Sequence, residues 1–403
     1  MNHHLKMRWL YLVLGVVSML FAGIIYAWSI LKAPFALEFG WDESQLALNF
    51  TITMTFFCLG GFVGAKLSKR IGVKLATICA GVLTCAGFSL ASIMDGSNIL
   101  MLYMSYGLLA GLGIGIAYNV VISTVNAWFP DKKGLCSGCL MMGFGASSLV
   151  LGSVANSLME SNGWRFAYRV LGIGLICVLF VTGLLLKRPE SGMAFPAPKA
   201  KRALKAENFK TEDYSTAQML RRSSFWMAFV GIGLLAAVGS SVISFARDLA
   251  SSVGAAASLA TTLVGVLSIC NGFGRIITGA MFDAMGRRFT MMTSNILTIA
   301  AAGVTLLAVY ANSLPLCIAG LCLVGLSYGS CPTVSSAFVS AFYGSKYFPT
   351  NFSIMNFNLI GSSLMATACG GLLKSTGAFL APFAVLLSLS VGALVLNLFL
   401  KKP

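Results

Sequence analysis

The sequence predicts an all-α integral membrane protein, with twelve transmembrane helices in two pseudo-symmetric six-helix bundles. Three observations predict this. Of 403 residues, 57% are hydrophobic and only 10% are charged, against about 25% charged in soluble domains. Apolar runs of about 20 residues, the length a helix needs to cross a bilayer, recur along the whole chain. Landmarks of the first half return in the second at one constant spacing. No alternating pattern of about 10-residue segments supports a β-barrel.

The runs fall at about 9–31, 46–67, 73–93, 98–128, 134–158, 165–186, 223–246, 255–280, 289–310, 314–343, 350–373 and 380–400. The first is too long for a signal-peptide core and lacks a small-residue cleavage site, so it is expected to be retained. Asp42 and Gln45 suggest a capping box at the start of the second. Pro130 and Pro349 lie in the turns before the fifth and eleventh. Lys187 to Arg222 holds nine basic residues, four acidic residues and three prolines. It predicts a cytosolic linker with a short amphipathic helix near 216–222. The expected organisation is a bundle over 1–187, a linker over 188–222 and a second bundle over 223–403.

The net charge of +16 could suggest nucleic acid, but the basic residues crowd the short loops between runs. One side of the membrane receives 22 of the 28, and the other receives five: Lys32, Arg165, Arg169, Arg247 and Lys374. By the positive-inside rule both termini face the cytoplasm.

The halves match at an offset of 214 positions. Gly72 before Val73 and Lys74 matches Gly286 before Arg287 and Arg288. Gly111 and Gly115 match Gly325 and Gly329, and the turn 126–129 matches 340–343. A six-helix unit repeated in parallel orientation is the pattern of transporter halves related about the membrane normal.

Arg275 is the remaining basic residue, well inside the apolar stretch 259–279. A guanidinium cannot shed its proton, and placing one in a spanning helix costs about 2.5–3.5 kcal/mol on insertion scales. An anion should meet it, and the runs supply almost no acid; the alternatives are backbone carbonyls or snorkelling to the cytosolic interface. The offset places Gly61 opposite it in the first half, so the repeat breaks its symmetry there. No paired carboxylates, metal set or nucleophile–base constellation lies in the runs, which argues against an enzyme. His3 and His4 precede the first run. Among eleven cysteines, Cys136 and Cys139 form a lone C-x-x-C, read as small-residue helix packing rather than a metal site.

Two loops resemble the signature G-x-L-x-D-R-x-G-R-R of the major facilitator superfamily. One runs from Gly279 through Asp283 to Gly286, Arg287 and Arg288. The other departs from the pattern, with Ala65 at the first glycine and Lys69 at the acid, before Arg70. The string Trp128-Phe129-Pro130-Asp131-Lys132-Lys133-Gly134, with Gly138, Gly143 and Gly145 after it, is more specific. With Gly23, Tyr26 and Trp28 in the first run and Asn271 to Arg275 in the eighth, it resembles the oxalate/formate antiporter family, a bacterial branch similar to the monocarboxylate transporters. The resemblance implies the major facilitator fold and organic-anion transport by alternating access. It also implies that Arg275 contacts a substrate carboxylate, with Asn271 one turn before it on the same face. Monocarboxylate transporters often carry an acid where Asn271 stands. Oxalate-specific members carry a lysine where Leu359 stands. One buried cation balances a monoanion and leaves a dianion uncompensated, so formate, lactate or pyruvate is favoured over oxalate. The runners-up are an oxalate/formate exchanger and a proton-coupled monocarboxylate symporter.

The expected substrate-binding residues are Arg275, Asn271, Tyr26, Trp28, Tyr118, Tyr328 and Asn358, with interfacial placement the alternative for Trp28. Inter-helix hydrogen bonding is the alternative for Asn119, Asn356 and Asn358. The expected gating residues are Asp283, Arg287, Arg288, Lys69, Arg70 and Asp131. No cofactor or metal is expected. The partners are a small organic anion and the lipid bilayer, with no nucleic acid, and the protein is expected to act as a monomer in the inner membrane.

Overall fold

The computed structural model describes residues 2–41, 43–190, 193, 195 and 212–401, a few of them without their side chains. Asp42 of the expected capping box, the side chains of His3 and His4, and most of the linker lie outside the described residues. In chain order the helices are α1 (Asn2–Ala22), a 3-10 segment (Gly23–Ala27), α2 (Trp28–Leu31), α3 (Ala33–Phe39), α4 (Glu43–Arg70), α5 (Gly72–Ser92), α6 (Leu100–Leu102), a π-helical segment (Tyr103–Ala110) and α7 (Gly111–Ala127). There follow α8 (Lys133–Asn162), α9 (Trp164–Leu185), α10 (Thr216–Leu220), α11 (Ser223–Ser252), α12 (Ala257–Tyr310), α13 (Leu314–Tyr343), α14 (Phe348–Asn356), α15 (Asn358–Thr376) and α16 (Leu380–Leu398). No strand occurs among the described residues.

Among the described residues eleven helices are long and apolar enough to cross a membrane. One of them, Thr262–Tyr310, has 49 residues. At 1.5 Å per residue it is about 74 Å long, more than twice a bilayer core. Its helical dihedrals break at Gly286 (φ 78°, ψ 176°). Read as two crossings, it brings the count to the expected twelve.

Four runs are less regular than their hydropathy suggests; the seventh leaves helical dihedrals at Phe245 (φ −129°, ψ 23°). The first tightens to 3-10 geometry at Gly23–Ala27, where a Cβ on Gly23 would lie 2.0 Å from the Phe144 carbonyl oxygen. The fourth contains the π-helical segment, and the eleventh is interrupted at Phe357. Helix α3 was not expected, although Pro34 at its start and Gly40 (φ 64°) at its end are the usual punctuation. Helix α10 realises the expected short helix. Ser215 Oγ accepts the Gln218 N–H and Gln218 Oε1 accepts the Ser215 N–H, a capping box.

The 214-residue repeat is present in the packing. Gly111 and Gly115 of α7 lie against α4 at Thr53 and Phe57, and Gly325 and Gly329 of α13 lie against α12 at Leu267 and Asn271. The contacted residues are themselves 214 apart. A Cβ on Gly115 would lie 2.0 Å from the Phe57 carbonyl oxygen, and one on Gly329 2.2 Å from that of Asn271. In lipid such close backbone approach replaces hydrophobic collapse as the source of packing energy. Positive φ recurs at the same offset, at Gly40 and Gly254, Gly72 and Gly286, and Gly163 and Gly377. Each position favours a residue without Cβ.

Internal contacts divide the chain into two compact units. One comprises Met1–Asp131, Gly143–Ala197 and Phe352–Phe357, and the other comprises Lys132–Met142, Pro198–Asn351 and Asn358–Pro403. The first holds an aromatic cluster of Trp28, Phe35, Phe88, Tyr106 and Tyr168. The second holds an apolar core drawn from α11, α12, α13 and α16, including Val242, Leu267, Leu321 and Phe383.

Candidate substrate site and gate

Arg275 lies on α12 in the second unit and is 2% exposed. Its Nε–H donates to Asn271 Oδ1 at 3.1 Å, and its Nη1 donates to the Met141 carbonyl of α8. Glycine makes this enclosure possible. A Cβ on Gly138 of α8 would lie 2.5 Å from the Arg275 carbonyl oxygen, and Gly329 of α13 closes the other flank at Asn271. Thr333 Oγ1 donates to the Arg275 carbonyl at 3.4 Å, and the Ser137 and Ser336 hydroxyls meet at 2.9 Å. Both acceptors at the guanidinium are neutral, so they satisfy donors without cancelling charge. Among the described residues no ion pair involves Arg275.

The other expected substrate residues fall into two groups. Tyr328 and Asn358 flank α11 in the second unit. The Tyr328 ring lies across Gly239, where a Cβ would come within 2.2 Å of it, and Asn358 packs on Gly233. Asn358 opens α15, is 5% exposed, and its Nδ2 finds no partner. Pro332, one turn after Tyr328, cannot donate to the Tyr328 carbonyl. In the first unit Tyr26 and Tyr118 share Phe144, with ring centroids 5.2 and 5.0 Å from it. Trp28 is 5% exposed, donates its indole N–H to the Leu46 carbonyl at 3.1 Å, and lies 4.7 Å from the Tyr106 ring. It belongs to the aromatic cluster. Asn119 and Asn356 are buried in the first unit, and the Asn356 carbonyl accepts from the Cys58 thiol at 3.4 Å.

Asp283 holds the start of α8. Its Oδ1 accepts the Gly134 N–H at 2.9 Å and its Oδ2 the Leu135 N–H at 2.8 Å. A carboxylate there satisfies two orphan donors and meets the positive end of the helix dipole. Gly134 and Gly279 pass with under a side chain's room: a Cβ on Gly134 would lie 2.4 Å from the Gly279 carbonyl oxygen. Arg287 lies over the Phe342 ring at 4.6 Å, and Arg288 is exposed. Lys69 and Arg70 occupy the last turn of α4, where cations suit the dipole. Asp131 is paired with Arg8 of α1 at 2.8 Å inside the first unit. On α8 Cys136 is buried and Cys139 half-buried, neither in a disulfide, and no metal-binding cluster is found among the described residues.

Sequence reasoning missed the Met141 carbonyl, which is backbone and carries no residue signal, and Asp213 in the linker. Asp213 stands two residues before the Ser215 capping box, a signal that could have drawn notice.

The profile of the Major Facilitator Superfamily matches residues 10–246, and that of sugar (and other) transporters matches 206–402. An uncharacterized MFS-type transporter, YhjX of Escherichia coli (strain K12), is 28% identical over 310 residues, covering 76% of this chain and 74% of its own. The oxalate:formate antiporter of Oxalobacter formigenes is 28% identical over 289 residues, covering 70% of this chain and 65% of its own. Monocarboxylate transporter 12 of Mus musculus is 35% identical over 163 residues, 40% of this chain and 32% of that protein. These relatives are transporters, not enzymes. The proton:xylose symporter XylE, solved bound to 6-bromo-6-deoxy-D-glucose, superimposes with a TM-score of 0.75 at 12% identity, over 99% of this chain and 97% of that one; this likeness shows the fold alone. The chain, a multi-pass membrane protein with the major facilitator fold, belongs to the Major Facilitator Superfamily.

Proposed function

We propose that this chain is a secondary transporter of small organic anions, monocarboxylates such as formate, lactate or pyruvate, and that Arg275 holds the substrate's carboxylate. One observation carries the reading: a cation 2% exposed whose described partners are all neutral. Two of the five guanidinium N–H groups go to an amide and a carbonyl, and the charge itself remains to be met. A carboxylate can do so through a two-point fork. The names of relatives, an oxalate:formate antiporter and a monocarboxylate transporter, agree with an anionic cargo. Leu359 adds no second cation, so a single negative charge balances the site.

Transport follows by alternating access, with the six-span halves 1–187 and 223–403 as the moving parts and 188–222 joining them. The anion neutralises Arg275 and lowers the cost of occlusion. An empty, charged site crosses less readily, which favours exchange over net flux. Tyr328 and Asn358, in the same unit as Arg275, supply a hydroxyl and an amide to the cargo, and Asp283 with Arg287 serves the cytosolic gate. The basic-loop asymmetry puts both termini in the cytoplasm of a cell bounded by this inner membrane, and a monomer suffices.

The test is uptake of labelled formate into proteoliposomes, with lactate, pyruvate and oxalate as competitors and Arg275→Gln as the variant. The expected result is monocarboxylate competition and a loss of about 100-fold or more in the variant, the scale of an uncompensated buried charge. Undiminished uptake by Arg275→Gln overturns the site, and oxalate as best competitor overturns the charge-balance argument.

A further inference from the structure

The described end of the linker is bound to the loop between α13 and α14 by an unusually complete set of contacts. Asp213 Oδ1 accepts the N–H of Ser345 at 2.9 Å and of Lys346 at 3.0 Å. The Tyr214 N–H donates to the Tyr343 carbonyl at 3.1 Å. Asn351 Nδ2 donates to the Tyr214 carbonyl at 3.0 Å, and Thr216 Oγ1 donates to Asn351 Oδ1 at 2.9 Å. The Tyr214 ring stands edge-on to Tyr343 at 5.8 Å, with the Arg222 guanidinium 5.4 Å from its centroid. Gly344 makes the approach possible for two reasons. Its φ is 77°, and a Cβ there would lie 2.2 Å from Asp213 Oδ1.

This repeats the chemistry of Asp283, in which one carboxylate holds two consecutive N–H groups. At the 214-residue offset the equivalent of Asp283 is Lys69, which cannot accept. The equivalent of Leu135 is Pro349, which has no N–H to give. The first loop copy therefore lacks the acid, and its target lacks one of the two donors. The linker supplies the acid as Asp213, and the donors move to Ser345 and Lys346, the offset equivalents of Asp131 and Lys132. Lys133, at the start of α8 and next to Gly134, lies in the electrostatic field of both Asp213 and Asp283.

We propose that Asp213 is a positioning residue of the transport cycle: the end of the linker clasps the loop between α13 and α14, and this clasp and the hold of Asp283 on α8 form and release together. The proposal does not depend on which substrate is carried. Hydrogen–deuterium exchange of the full-length protein in lipid nanodiscs tests it, read in peptides covering 130–140 and 340–350. Loss of a carboxylate that holds two amides should raise exchange at 345–346 about tenfold in Asp213→Ala. Coupling should also raise exchange at 134–135 several-fold in that variant, although Asp283 is untouched. Linkage is reciprocal, so Asp283→Ala should loosen 345–346. Gly344→Ala should reproduce Asp213→Ala, whereas Glu190→Ala, which removes an exposed acid near the start of the linker, should change neither peptide. Loosening at 345–346 with 134–135 unchanged, in Asp213→Ala and Gly344→Ala alike, reduces the contact to a local anchor and overturns the proposal; so does an unchanged 345–346 peptide. No substrate enters the measurement, so its failure is distinguishable from failure of the Arg275 reading.

Discussion

Arg275 donates its Nε–H to Asn271 Oδ1 across 3.1 Å, one helical turn earlier on α12. The amide orients the guanidinium without neutralising it. Asn271→Asp would place a carboxylate in the same position and satisfy the charge internally. The expected outcome is at least a tenfold rise in apparent KM for the transported monocarboxylate between pH 6 and 8, because an acid beside an arginine stays ionised there. Formate uptake kinetics in proteoliposomes check this; an unchanged KM means that Arg275 does not meet the cargo.

Gly329 and Gly115 make the same contact in the two halves but should not have the same functional weight. A Cβ on either would lie 2.2 or 2.0 Å from a carbonyl oxygen of the adjacent helix. Gly329→Ala and Gly115→Ala should each destabilise by about 1–3 kcal/mol through overpacking. Only the first pushes on Asn271, so only Gly329→Ala should also raise KM. Thermal unfolding in detergent, paired with uptake kinetics on the folded fraction, separates the two effects.

Glu38 on α3 lies outside the spanning segments and has a pH signature of its own. The Arg165 guanidinium at 2.7 Å, and then the Trp164 indole N–H at 2.6 Å, hold its carboxyl below the usual carboxylate range. A lowered folded-state pKa means stability that is present at neutral pH and is lost as pH falls below about 4 through the depressed value. Both partners are 42% exposed, so solvent screening keeps the contribution to about 1 kcal/mol or less. Glu38→Gln should lower the melting temperature slightly at neutral pH and leave it unchanged in strong acid, so that the acid limb flattens from its upper end. An acid limb as steep as that of the parent protein would assign the effect elsewhere.

The glycines show what was legible and why. Gly72 with Gly286, and Gly115 with Gly329, recur at 214 positions in the bare sequence, and they recur again as positive-φ turns and close helix contacts. That correspondence is expected because glycine is used where no Cβ fits, a local demand. Asp283 was likewise legible as the acid of its loop, which carries the pattern, and it accepts two N–H groups at the start of α8. The 3-10 turn at Gly23–Ala27, the π-helical segment at Tyr103–Ala110 and the break at Phe357 were not, because hydropathy reports burial in lipid and not the pitch of the helix. Trp28 could be read as an interface residue or a site residue. Its place beside Tyr106, with its N–H on Leu46, depends on residues far along the chain.

By itself the amino-acid order determined the membrane class, the number of crossings, the repeat and the presence of one stranded cation, because each follows from how lipid excludes charge and unsatisfied backbone. Only the tertiary structure decided which atoms meet that cation and which acid serves the loop between α13 and α14. The Met141 carbonyl and Asp213 reach their partners across 134 and about 132 residues of chain, and no local preference encodes contacts made at such separation.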